Sequence, residues 1–389
     1  MSTYLRVSHR IPLPAPESRT PCGFAATRTD KYPVHVCQGE STTLTHLLRE
    51  IDGRRVAMIT DDTVAELHAR RLATRLREHG LDVVLTSFPA GESSKSVPTA
   101  VDLLDWLAGT AVARRDIVLA VGGGVVIDTV GWVASAHMRG VPYINVPTTL
   151  LAHVDAALGG KVAVDHPSAK NLIGAFYQPK AVISNVGYLS TLDTRHVSAG
   201  LAEAIKKGVI GSPELFELIE RVAYDVLDRD LCALEEVVRA ASLVKCELIA
   251  RDPYEEDLRR PLNFGHTVGH AVETVSGYGP VLHGEAVAYG MCVAAEIASS
   301  RGMLNGSVSE RLVGLLRRVE LPTALSDLRA AVEPAQVIGA LDQIRKIRDG
   351  RIRFVLPTAL GETVIADDVT NDEVHAAMLA TDRAVVPSR

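Results

Sequence analysis

The stretch Asn263-Phe264-Gly265-His266-Thr267-Val268-Gly269-His270, followed by Leu282-His283-Gly284-Glu285, is the richest in side chains able to do chemistry. His266 and His270 stand one helical turn apart and share a helix face. His283 follows a Gly/Pro/Tyr-rich turn at 276–280. Imidazoles with a carboxylate suit zinc and related divalent ions. Ordinary helix-packing histidines give the same spacing, so the motif needs a carboxylate, a cofactor and a substrate elsewhere in the chain. Glu203 and Lys206, at i and i+3, share another helix face; a solvated surface pair reads identically. The 150–178 stretch is polar for a neighbour of buried strands, with Asp155, Gly159-Gly160-Lys161, Asp165, His166, Lys170-Asn171 and Gln178. Lysines beside glycines or amides suit a phosphorylated ligand. Lys245 and the charged run 252–260 precede the histidine motif, as solvated loop or as cleft lining.

The elements that must position these groups follow two patterns. From about 33 to 190, short apolar runs alternate with amphipathic stretches: strands at 55–60, 82–88, 116–121 and 143–146, and helices at 63–80, 97–107 and 127–136. Such a βαβ series implies a parallel sheet covered by helices. From about 195 the periodicity is mainly helical, at 197–210, 213–227, 234–250, 262–275 and 283–300. The expected organisation is an arm at 1–30, an α/β Rossmann-like domain at 31–194 and a mainly α-helical domain at 195–389, with the active site in the cleft between the last two. Gly122-Gly123-Gly124 joins a buried strand to a helix, where glycines let a phosphate approach the backbone and free N–H groups. It is not GxGxxG, and a plain tight turn explains it equally. Asp61 and Asp62 follow the first strand, placed to accept from a ribose hydroxyl or to cap the next helix.

Composition excludes several classes. The chain has 389 residues, 47% hydrophobic and 23% charged, with net charge −6. That length suits two domains, and the charge argues against nucleic acid as a partner. No run reaches membrane-span length. Residues 1–30 carry Pro12, Pro14, Pro16 and Pro21 and lack the apolar core of a secretory signal. The cysteines, Cys22, Cys37, Cys232, Cys246 and Cys292, are odd in number and lack a CxxC pair. This fits reduced thiols and a cytoplasmic location.

Taken together the motifs resemble the sugar-phosphate cyclases, whose best-known member is 3-dehydroquinate synthase. The resemblance covers roughly 31–380. It rests on Val146-Pro147-Thr148-Thr149-Leu150-Leu151-Ala152, Gly159-Gly160-Lys161, Lys170-Asn171-Leu172-Ile173-Gly174, Ser198-Ala199-Gly200-Leu201-Ala202-Glu203 and both histidine segments. It implies NAD and a divalent metal, zinc or cobalt. By motif match, Glu203, His266 and His283 would hold the metal. Asp61, Glu92, Lys95, Gly123, Gly124, Asp128, Thr148, Thr149, Lys170, Thr191 and Leu192 would hold NAD. Asp155, Lys161, Lys206, Lys245, Glu255, Arg259, Asn263 and His270 would serve catalysis, with Arg139, Asn171 and Lys346 on the substrate. His270 would then face the phosphorylated sugar and not the metal. In the family, hydride passes from a secondary alcohol to NAD+, phosphate is eliminated, hydride returns, and an intramolecular aldol closes a carbocycle. Such enzymes are commonly dimeric, so a homodimer is expected, and Arg139 in them can reach a neighbouring active site.

Substrate choice is less uniform. Lys245, Arg259 and Asn263 match the quinate enzyme, whose seven-carbon keto acid phosphate carries a carboxylate, and this tilts the reading slightly toward such a substrate. Deoxy-inosose synthases differ at Arg259 and Asn263; epi-valiolone synthases, acting on sedoheptulose 7-phosphate, usually lack the equivalents of Lys245 and His270. Against the quinate enzyme stand Val125-Val126-Ile127-Asp128 after the glycines, the valiolone-like Thr191-Leu192-Asp193-Thr194-Arg195-His196, the Asp252-Pro253-Tyr254-Glu255 run and the N-terminal arm. Sedoheptulose 7-phosphate is therefore a close second substrate. A metal-dependent polyol dehydrogenase is the alternative of another class.

Overall fold

The computed structural model describes residues 31–166, 169–254, 260–277, 279–347 and 352–383, with the side chains of 260, 346 and 347 outside that description. The expected arm at 1–30, Glu255 and Arg259 lie outside the described residues, as does the side chain of Lys346. Tyr32–Arg389 falls in a single compact unit.

In chain order the first part runs β1 (Val34–Cys37), α1 (Glu40–Ile51), β2 (Val56–Asp61), α2 (Asp62–Val64), a π turn at Ala65–Ala69, α3 (Arg70–Glu78), β3 (Val83–Phe88), α4 (Val97–Gly109), β4 (Ile117–Gly122), α5 (Gly124–Ala136), β5 (Tyr143–Pro147), β6 (Lys161–His166), β7 (Ala169–Phe176) and β8 (Ala181–Asn185). β1, β8, β5, β4, β2 and β3 form, in that order, a six-stranded sheet whose pairings are parallel. Both faces are covered. Val56, Met58, Leu119 and Ile183 pack toward α1 and α3, whereas Ala57, Ile59, Val118 and Val182 pack toward α4 and α5. Burying each large aliphatic side chain contributes about 1.5–3 kcal/mol, so the one-residue alternation fixes the register.

β2 connects outward to β3, whereas β4 connects the other way to β5. Their carboxyl ends therefore diverge and leave a crevice, the usual ligand position in open parallel sheets. Asp61-Asp62 and Gly122-Gly123-Gly124 flank it.

The polar 150–178 stretch divides: Ala152–Ala156 is a π turn that carries Asp155, and β6 pairs antiparallel with β7, with Lys161 opposite Phe176 and His166 opposite Ala169. Val162 and Val164 are buried against α5, whereas Lys161, Leu172 and Phe176 are exposed.

The second part is α6 (Thr194–Gly211), α7 (Pro213–Leu227), α8 (Leu231–Arg251), α9 (His266–Ser276), α10 (His283–Ser300), α11 (Gly306–Arg318), α12 (Pro334–Ile347), the hairpin β9 (Phe354–Ala359) and β10 (Glu362–Ala366), and α13 (Asn371–Arg383). A parallel α/β part followed by a mainly helical part is the expected order. Caps set the helix starts: Asp193, Ser212 and Asp230 accept from the first-turn amides of α6, α7 and α8. The helix expected over 262–275 begins only at His266, because Arg260–Asn263 forms a 3-10 turn and Gly265 takes φ 78°. The helix expected from 127 begins at Gly124, the residue after the glycine turn's cap, Gly123.

Candidate metal and substrate site

Close helix packing assembles the site. A Cβ on Gly284 would collide with the Ala199 carbonyl, and one on Gly290 with the Gly265 carbonyl. Glycines at these crossings therefore let α10 sit directly on α6 and α9, which carry Glu203 and His266. Arg195, in the first turn of α6, donates to both oxygens of Glu285 at 2.6 and 2.7 Å and pins the start of α10. Glu285 also caps that helix, accepting from the Leu282 amide at 2.8 Å.

Glu203, His266 and His283 converge as expected, within 4.8 Å of one another. Glu203 Oε1 is buried and accepts no hydrogen bond among the described residues. It lies 3.6 Å from His266 Nε2 and 3.8 Å from His283 Nε2. Three ligand atoms around a tetrahedral zinc, each at about 2.0–2.1 Å, stand roughly 3.3–3.5 Å apart. The observed separations are near that and too long for hydrogen bonds. His266 Nδ1 donates to the Phe264 carbonyl at 3.1 Å and His283 Nδ1 to Glu273 at 3.2 Å, which directs both Nε2 lone pairs inward. Burial, then the Lys206 ammonium, holds His266 well below its ordinary value and keeps the imidazole neutral, the form able to bind a cation. The donor set fits a divalent cation. His270 is half exposed and turns its Nδ1 to Glu273 at 2.9 Å, outside this triad.

Below the triad lies a buried charge network. Lys206 Nζ is 2.5 Å from Glu203 Oε2, with side chains 2% and 1% exposed, so the pair is interior and not the solvated one its spacing equally allowed. Lys207, fully buried, reaches Asp155 Oδ1 at 2.8 Å and Glu203 Oε2 at 3.5 Å. Lys245, from α8, meets Asp155 Oδ2 at 3.0 Å and donates to the Asp155 carbonyl at 2.7 Å. Burial favours a protonated Asp155, but Lys207 and then Lys245 outweigh it and hold the carboxyl well below its usual range. Burial lowers Lys245 to about 8 despite Asp155. Lys206, Lys207 and Lys245 outnumber Asp155 and Glu203, so the network is cationic and complementary to a phosphorylated ligand.

Toward the sheet, Lys95 Nζ donates to Asp128 at 2.6 Å and to Asn171 at 2.5 Å. Lys170 bridges Glu92 at 3.0 Å and Glu273 at 3.3 Å. Thr148 Oγ1, directly after β5, is buried without a partner among the described residues, and its amide bonds the Gly122 carbonyl. A Cβ on Gly123 would stand 2.9 Å from Thr149 Cγ2, so a side chain there would have to displace that methyl, whereas Gly124 has only Ala156, at 3.7 Å, near such an atom. An orphaned hydroxyl beside a glycine turn at the switch point fits a dinucleotide phosphate. Asp61 caps α2 through the Val64 amide at 2.8 Å, the capping role its position equally allowed. Thr191 meets His68 at 2.8 Å, beside the half-buried Leu192.

Other expected residues stand apart. Lys161 is exposed at the base of the hairpin. Arg139 is exposed between α5 and β5, the amino edge of the sheet, away from the loops at its carboxyl edge. Asn263 is half-buried in the 3-10 turn before His266. Sequence reasoning missed Glu273, Lys207 and Arg195. His266, His270 and Glu273 fall at i, i+4 and i+7, so one face of α9 already announced the carboxylate. Nothing in the spacing distinguishes buried Lys207 from a surface lysine.

With this geometry in place, comparison with known proteins assigns the family. The 3-dehydroquinate synthase N-terminal family profile matches residues 85–199 and the 3-dehydroquinate synthase C-terminal profile matches 200–346. The chain belongs to the 3-dehydroquinate synthase family. A 2-epi-valiolone synthase of Actinosynnema mirum is 56% identical, over 96% of this chain and 97% of its own. The 2-epi-5-epi-valiolone synthase ValA of Streptomyces hygroscopicus subsp. jinggangensis 5008, solved with NAD+ and Zn2+, superposes with TM-score 0.85 at 32% identity, covering 93% of this chain and 99% of that one. A 2-deoxy-scyllo-inosose synthase solved with carbaglucose-6-phosphate, NAD+ and Co2+ gives TM-score 0.80 at 26% identity, covering 89% and 95%. Among the described residues, no helix is long and apolar enough to cross a membrane.

Proposed function

We propose that this chain is an NAD- and divalent-metal-dependent cyclase, a carbon–oxygen lyase acting on sedoheptulose 7-phosphate to give a valiolone-type cyclitol. The observation that carries the substrate choice is the engagement of Lys245. Its ammonium is spent on the carboxylate and carbonyl of Asp155, so its presence no longer calls for a carboxylate on the substrate. The slight preference for the keto acid phosphate therefore reverses, in keeping with the 56% identity to a 2-epi-valiolone synthase.

In this reading Glu203, His266 and His283 hold the metal, and the Gly122–Gly124 turn, Thr148 and the crevice at the sheet's carboxyl edge hold NAD. When bound, such a cation would supply Lewis acidity toward a substrate hydroxyl and the ketone derived from it, and NAD would supply a reversible hydride acceptor. The protein orients and neutralises. Lys206 and Lys207 keep Glu203 ionised; burial alone favours protonation, and the ammonium groups hold it down at about 2. The cationic network and the exposed face of His270 attract the phosphate. Fixing the sugar with its C–H, leaving phosphate and ketone in reach of one another supplies much of the rate. Overall the sugar phosphate loses the elements of phosphoric acid and closes a ring, with no net oxidation. We further propose a cytoplasmic homodimer, in which exposed Arg139 serves the partner's site.

Incubating purified protein with NAD+ and Zn2+, and separately with sedoheptulose 7-phosphate or the seven-carbon keto acid phosphate, tests this by phosphate release. Release from the first sugar alone is expected. Release from the keto acid alone overturns the substrate assignment and leaves the reaction class standing.

A further inference from the structure

Glu273 has no part in the roles assigned above, yet its carboxylate meets three charged or ionisable groups at the site. It lies on α9 and its side chain is 3% exposed. Oε2 accepts from His270 Nδ1 at 2.9 Å and from His283 Nδ1 at 3.2 Å. Oε1 accepts from Lys170 Nζ at 3.3 Å. Lys170 belongs to β7 and also meets Glu92, in the loop after β3. One carboxylate thus joins an expected metal ligand, the neighbouring histidine and the cofactor-side hairpin.

The same atoms pose a competing arrangement. His270, Glu273 and His283 also lie close enough to hold an ion. Distances separate the two. Ligands of one tetrahedral zinc stand roughly 3.3–3.5 Å apart, and the 3.6 and 3.8 Å gaps around Glu203 are of that kind. The 2.9 and 3.2 Å gaps around Glu273 are hydrogen-bond distances, with a proton between nitrogen and oxygen. His283 cannot use Nδ1 for a proton and a metal at once. Its bond to Glu273 selects the tautomer with Nε2 open toward Glu203.

We propose that Glu273 is a positioning residue that fixes His283 as a metal ligand through Nε2 and holds His270 off the metal. The inference rests on the Glu203–His266–His283 metal site proposed above. Carboxylates behind metal-bound histidines typically raise metal affinity by about 10–100-fold.

The test compares wild type, Glu273→Gln, His270→Ala and His266→Ala by competition for Zn2+ against a chromogenic chelator, with the visible spectrum of the Co2+ form and melting of the apo-protein alongside. Glu273→Gln is expected to weaken Zn2+ binding by about 10–100-fold and to alter the Co2+ spectrum. His270→Ala is expected to keep wild-type Zn2+ affinity, and His266→Ala to lose the ion. Wild-type affinity and an unchanged Co2+ spectrum in Glu273→Gln, with only a lower melting temperature, overturn the proposal. Loss of Zn2+ in His270→Ala as complete as in His266→Ala overturns it too, because His270 would then help to hold the ion. If Glu273→Gln does not fold, Glu273→Asp withdraws the carboxylate by one methylene, and wild-type affinity there overturns the proposal in the same way. Retention of Zn2+ by His266→Ala is the distinct result that removes the underlying metal-site reading.

Discussion

At the carboxyl edge of the sheet the candidate contacts include a backbone turn and a single hydroxyl, Gly122–Gly124 and Thr148, and the turn ends β4, a strand of wholly aliphatic side chains. Under the helical half they are charges buried among charges: Glu203, Lys206, Lys207, Asp155 and Lys245, held by one another. The first region is positioned by a scaffold that stands without it. In the second, the functional groups are part of the scaffold, since each ion is stable in the interior only through its partners. Substitutions in the helical cluster should therefore damage folding and function together, and those at the sheet edge should separate the two.

The largest effect is expected from Glu203→Ala. It strands Lys206 in the interior and leaves Lys207 with Asp155 alone, costing about 3–5 kcal/mol, and removes a proposed metal ligand, lowering kcat/KM by on the order of a thousandfold. Denaturant unfolding and metal content on one preparation check both. A variant that lost activity at unchanged stability would break the contrast. Gly123→Ala is the matching change at the sheet edge. Its Cβ meets Thr149 Cγ2 at 2.9 Å, and overpacking of this kind costs about 1–3 kcal/mol. The cost should appear chiefly as weaker NAD+ binding, measurable by calorimetry, with Zn2+ affinity unchanged.

A smaller effect follows from pH. Burial holds Lys245 at about 8 against an ordinary 10.5. Between those values the folded chain binds fewer protons than the unfolded one, so the Lys245 contribution to stability rises with pH. Its grip on Asp155 is lost over the same range, so substrate KM should rise above pH 8, by up to roughly tenfold per unit. Lys245→Gln should flatten that limb, and a limb retained in this variant would assign it to another group. The smallest effect is on the far side of the helical half. Arg301 bonds Glu373 and Asp368 at 2.8 Å each near the surface, and Arg301→Ala should cost below about 1 kcal/mol with kcat unchanged.

The two regions also differed in how well they could be read. Strands at 56–61 and 117–122 and helices at 213–227 and 283–300 announced themselves through apolar runs, alternation or caps. The paired strands at 161–176 did not, because polar Lys161, Asp165 and Lys170 are interspersed with apolar residues that are in part exposed, Leu172 and Phe176. Glu203, His266 and His283 were named together by motif resemblance, and the fold brings their ligand atoms within 4.8 Å of one another. Burial of Lys206 and Lys207 was not recoverable, since a helix face shared by Glu and Lys looks the same in water and in a core. The spacing of Glu273 puts it on the histidine face of α9, while its partners His283 and Lys170 come from other elements and are visible only in the fold.

The most direct test mixes the metal-loaded protein, NAD+ and sedoheptulose 7-phosphate, and follows absorbance at 340 nm together with phosphate release. A cyclase returns its hydride, so the account predicts one phosphate per sugar consumed and no net NADH at the end. One NADH accumulating per sugar, without phosphate, would contradict it and identify a polyol dehydrogenase instead.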